Sequence, residues 1–197
     1  MGNSAKAVHS REQTRENEDM VKKVASTFEE ADVIRMFPSF VWKTQLKQDI
    51  IKRVSQDVVS ALELLRQAKP GLESSLSWQS DHDLYQSERF GQLRSSIQEA
   101  VTKVFEFLKI ADTPFVMTGL WANMNAPGSS HKMHNHPNNV LSGVYYAQTG
   151  KGADTINFHD PRPQKDVIKP SVTELTADNT DQVVVTVNDG TLLVFPS

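Results

Sequence analysis

The 197-residue chain has no cysteine. That excludes disulfides and thiolate zinc sites, so any bound metal must sit on histidine, carboxylate or water. No apolar run approaches the roughly 20 residues that span a bilayer, and the N-terminus lacks the apolar core of a signal peptide. The expectation is a soluble, cytoplasmic protein with no membrane span. Its opening MGNSAK comes close to a myristoylation signal, but Lys6 stands where Ser or Thr is wanted. An excess of one charge is also missing: 21 Lys and Arg face 24 Asp and Glu, a net charge of −3. Such a balance gives no general case for binding nucleic acid. Internal repeats and a glycine-rich phosphate loop are absent as well. The length suits one domain with a sizeable core, with room for a tail.

Residues 1–32 are polar and charge-rich, which predicts a disordered or loosely helical tail. The folded part, 33–197, opens on VIRMFPSFVW, whose β-branched and aromatic residues around Pro38 suggest a short edge strand. Two amphipathic helices follow. Ile50, Ile51, Val54, Val58, Leu62 and Leu65 recur at helical spacing between Asp49 and Lys69, ended by Pro70-Gly71. Phe90, Leu93, Ile97, Val101, Val104, Phe105 and Leu108 form a second stripe between Ser87 and Ile110. After Pro114 the character changes to short β-rich segments: FVMTGLWANMN, NNVLSGVYYAQ, DTINFHD, QVVVTVN and TLLVFPS. Helices followed by a run of strands predict an α+β fold whose mainly β core is a sandwich, barrel or jelly roll.

One segment concentrates chemistry. SSHKMHNHPNN, residues 129–139, holds three of the six histidines, and neutral imidazole is the commonest side-chain metal ligand. If 131–136 is extended, with Pro137 biasing His136 toward that geometry, His134 and His136 share a face. They are the candidate metal ligands, and His131 is assigned either to support of those ligands or to the rim. Upstream, Trp121, Asn123 and Asn125 alternate with Ala122 and Met124. Amides on an inward face are costly unless they bind something polar, be it a ligand or loop backbone.

From about Met36 onward, the words FPSFVW, SWQSDHDLY, WANMN, HNHPNN, SGVYY, FHDPR and GTLLVFPS occur in that order. In this the chain resembles the iron(II)/2-oxoglutarate-dependent oxygenases of a small bacterial and phage-associated family. The resemblance implies a double-stranded β-helix, a cupin-like jelly roll, preceded by the two helices. It implies Fe(2+), 2-oxoglutarate and O2 as cofactor and co-substrates. The expected activity is a dioxygenase that hydroxylates an unknown substrate, decarboxylating 2-oxoglutarate to succinate.

By position, His134 matches the first histidine of the family's metal motif, and His136 stands where a carboxylate is usual. Tyr146 matches a tyrosine that binds the co-substrate's distal carboxylate in related oxygenases, with Asn123 and Asn125 as further co-substrate contacts. His159 is a spare ligand candidate, and Asp160 with Arg162 reads as a turn held by an ion pair. In the family a distal histidine and a co-substrate arginine follow the FPS strand. Both positions would lie beyond Ser197, which predicts a chain cut short of its last strand or strands. The alternatives are an inactive jelly-roll binding module or pseudoenzyme, and a cupin-type metal enzyme that does not use 2-oxoglutarate. The substrate is not legible, and a homo-oligomer remains open.

Overall fold

A computed structural model describes residues 27–68, 77–162 and 167–197. Most of the tail expected over 1–32 and the Pro70-Gly71 break lie outside the described residues. The chain divides into two units after Pro38. Residues 27–38 of the first unit form neither helix nor strand.

The second unit begins with strand β1 (Trp42–Gln45) and helix α1 (Gln48–Ala68). Helix α1 buries Ile51, Val54, Val58, Ala61 and Leu62, the stripe that three-and-four spacing places on one side. Asp49 in its first turn and Arg66 in its last both complement the helix dipole. Two single 3₁₀ turns, Leu84–Gln86 and Glu88–Phe90, lead into helix α2 (Gly91–Leu108). This helix stops at Lys109, in the left-handed region, where the amide N–H of Ile110 donates to the carbonyl of Phe105.

The remaining strands are β2 (Trp78–Gln79), β3 (Asn123–Met124), β4 (Leu141–Tyr145), β5 (Thr155–His159), β6 (Gln182–Thr186) and β7 (Thr191–Pro196). They form three antiparallel sheets, β1-β7-β4, β2-β3 and β5-β6. Central β7 reads as a continuous apolar run because both its faces are covered; Leu192, Leu193 and Val194 are all buried. On one face, Trp42 meets Phe107 of α2 edge-on at 5.6 Å, and the Tyr145 hydroxyl bonds Ser55 of α1 at 3.0 Å. On the other, Phe195 meets Phe158 of β5 at 5.0 Å, and the Lys43 ammonium donates to the carbonyl of Thr186. Helices thus pack behind the three-stranded sheet and the β5-β6 sheet in front of it. A core of Val54, Val58, Ala61, Leu62, Trp78, Leu84, Phe90 and Leu93 fills the helical side.

This mixed α/β arrangement of antiparallel sheets is compatible with a jelly roll, without a closed double-stranded β-helix among the described residues. Several expected strands are shorter. FVMTGLWANMN contributes only Asn123–Met124, paired with β2. The opening strand starts at Trp42, beyond Pro38, which has no N–H to give a ladder. Residues 131–136 are not a strand, as discussed below.

Gly190 ties these parts together. It has φ +80°, its N–H donates to the Tyr146 carbonyl at 2.7 Å, and its carbonyl accepts from Leu46 at 3.1 Å. A Cβ here would lie 2.4 Å from Ile51 Cδ1. Gly190→Ala therefore combines left-handed strain with overpacking and is expected to destabilise the fold by about 2–4 kcal/mol. Urea denaturation checks this; an unchanged midpoint would mean that the turn is not under the stated constraint.

Candidate metal centre

The histidine segment stays out of the sheets because its backbone and side chains satisfy each other locally. The His134 ring nitrogen Nδ1 lies 2.8 Å from the carbonyl of Lys132, two residues back. A carbonyl only accepts, so Nδ1–H donates, and the neutral ring carries its lone pair on Nε2. A turn at Pro137-Asn138, with Asn138 at φ 69°, then sends the chain into β4. Convergence of the two rings arises from this loop and not from strand alternation.

His134 Nε2 and His136 Nε2 lie 3.1 Å apart. Two imidazole nitrogens on adjacent positions of one ion, each bonded at about 2.1 Å and at right angles, are separated by about 3.0 Å. The observed spacing fits that arrangement. His131 stacks on His134, with centroids 4.8 Å apart and planes 26° apart, which places it at the rim of the pair. Among the described residues no group of three or more His, Cys, Asp or Glu is arranged to hold a metal.

His136 is supported from two sides. Its Nδ1 lies 2.7 Å from the Ser142 hydroxyl on β4, and that hydroxyl lies 2.7 Å from Ser197 Oγ. Trp121 meets the His136 ring edge-on at 5.3 Å and stacks on His82 at 4.5 Å. His82 is in turn bonded to the Gln79 amide at 3.0 Å. The alternation read in WANMN is visible here: Ala122 and Met124 pack on the helical core, while Trp121 turns to His136. Asn123, two residues on in β3, falls on the Trp121 side. The Asn125 carbonyl oxygen accepts from Ser77 at 2.6 Å, so this amide is tied to a neighbouring side chain.

Alternation also separates the two tyrosines. Tyr145 lies on the helical face of β4. Ser142, Val144 and Tyr146 share the other, with Ser142 and Tyr146 about 13 Å apart along the strand. Burial raises the pKa of the Tyr146 phenol, so it stays a neutral donor at physiological pH. His159 points from β5 on the side opposite Phe158, away from the face where Phe158 meets Phe195. Arg162 grips Asp160 through Nε at 2.9 Å and its terminal nitrogen at 2.7 Å, closing the DPR turn. Ser142, Trp121 and His82 were not singled out from sequence as site residues. Ser142 could have been found, since it shares Tyr146's face of the SGVYY strand.

Residues 119–197 match the model of a protein family described as "Putative 2OG-Fe(II) oxygenase". No curated protein matches the chain. The match takes in Trp121, both histidines and β3 to β7, and shows the oxygenase resemblance over this stretch. It covers less than half of the chain; β1, both helices and the FPSFVW and SWQSDHDLY segments lie outside it.

Burial lowers the pKa of His136, and the positive potentials of His134 and His131 lower it further. The fold thus disfavours the imidazolium. Stability that depends on the neutral ring is fully present above the unfolded value of about 6.5 and is lost as pH falls through it toward the lower folded value. Relative to a His136→Gln variant, which has no ring to titrate, the metal-free wild type should lose stability as pH falls through about 6.5 toward the lower folded value. Denaturant midpoints measured across that range test this; parallel curves for the two proteins would refute it.

Proposed function

We propose that the protein is an iron- and 2-oxoglutarate-dependent dioxygenase in which His134 and His136 hold the metal. The observation that carries this reading is the 3.1 Å approach of the two Nε2 atoms, within a stretch that matches the oxygenase family. The donor set suits the group: neutral imidazole is a good ligand for iron(II), and a facial site needs two such adjacent positions. When bound, iron with 2-oxoglutarate and O2 would supply the oxidant that hydroxylates a C–H bond.

The chain's own residues orient and shield. Tyr146 offers a neutral phenolic donor on the Ser142 face of β4, suited to the distal carboxylate of 2-oxoglutarate. Asn123 on β3 and Asn125 just after it follow Trp121 in the chain, and their amides would serve as further co-substrate contacts. The Trp121 ring covers one side of His136 and keeps water from it.

Anaerobic titration of the protein with iron(II) and then 2-oxoglutarate is expected to give the weak visible charge-transfer band of a chelate. His134→Ala and His136→Ala should each abolish it. Tyr146→Phe should keep the band but weaken 2-oxoglutarate binding about ten- to hundredfold, the loss of one hydrogen bond to a charged group. No band and no succinate would instead mean a binding module that keeps the fold without the chemistry. Iron-dependent turnover indifferent to 2-oxoglutarate would mean a cupin-type metal enzyme.

A further inference from the structure

We propose that Ser142 is a positioning residue that sets the tautomer and aim of His136, donating to its Nδ1 when no ion is bound and accepting from it when one is. This rests on the reading of His134 and His136 as a metal pair, and it follows from counting protons along one chain of contacts. That chain runs from the Lys132 carbonyl through His134, His136 and Ser142 to Ser197.

The Lys132 carbonyl fixes the proton of neutral His134 on Nδ1. Its Nε2 is therefore bare. With no ion, a second bare Nε2 at 3.1 Å would be repulsive, so His136 carries its proton on Nε2 and donates it to His134. His136 Nδ1 is then an acceptor and needs a donor, which at 2.7 Å is the Ser142 hydroxyl. Ser197 completes the line by donating to Ser142 Oγ.

Metal binding requires the opposite arrangement at His136. Nε2 must present its lone pair, so the proton resides on Nδ1 and requires an acceptor. Ser142 Oγ accepts it, and the Ser142 O–H swings to Ser197 Oγ, 2.7 Å away. The proton that leaves Nε2 is matched by one that arrives at Nδ1 through solvent. The ring is neutral before and after, and no heavy atom has moved. A carboxylate could only accept here and an ammonium could only donate; a hydroxyl does both. Ser142 is also held in place. It is buried and paired with Phe195 across the β4-β7 ladder, so its oxygen cannot drift with the loop.

The test is long-range ¹H–¹⁵N correlation NMR of the histidine rings in the full chain, metal-free and then saturated with zinc(II) as a diamagnetic probe. His134 should be Nδ1–H throughout, while His136 should pass from Nε2–H to Nδ1–H. Finding His136 as Nδ1–H already in the metal-free protein would overturn the reversal, and this measurement needs no variant. Ser142→Ala should weaken zinc binding about tenfold or more, and Ser142→Thr, which keeps the hydroxyl, should restore it. If Ser142→Ala binds zinc within about twofold of wild type while His136→Ala does not bind, the role of Ser142 falls and the metal pair stands. If neither His134→Ala nor His136→Ala changes zinc affinity, the metal pair itself falls.

Discussion

The pairing of β7 with β1 on one side and β4 on the other is the constraint on which the rest of the structure depends. Through this ladder Phe195 is set against Ser142, and Thr191 against Gln45, while the Thr191 carbonyl accepts from Tyr146. Burial of Leu192, Leu193 and Val194 between the helices and the β5-β6 sheet provides the driving force. The histidine loop meets this scaffold at His136, through the Ser142 hydroxyl on β4 and the ring of Trp121.

Much of this scaffold was legible in the sequence because it rests on periodicity. The α1 stripe from Ile51 to Leu62 and the strand TLLVFP follow directly from apolar spacing, since burial of those side chains is what stabilises the elements. What periodicity could not reveal was pairing. FVMTGLWANMN has strand-like composition over its whole length, yet only Asn123 and Met124 join a ladder, with β2, while Leu120 adds an isolated bridge to Asp83. Histidine spacing pointed to His134 and His136, but for a reason that the structure replaces. Alternation along a strand was expected, whereas a loop closed by the Lys132 carbonyl aims the first ring and Ser142 the second.

The wall around the pair is assembled from distant parts of the chain. His82 and Gln79, outside the family match, hold Trp121, which lies inside it and abuts His136. No spacing rule links residue 82 to residue 136; the β2-β3 pairing and the parallel bridge between Asp83 and Leu120 bring them together. That is why this side of the site was invisible before the fold was known.

The two-sided character of β4 carries one last implication. Its odd and even positions serve different compartments, Tyr145 the helical interior and Ser142 with Tyr146 the ionic side. Sliding β4 by a single residue against its neighbour would exchange these duties wholesale, driving a serine into the greasy interior and the wrong phenol toward the imidazoles. Errors of alignment in this strand are therefore all-or-nothing, with no half-functional intermediate for the molecule to occupy.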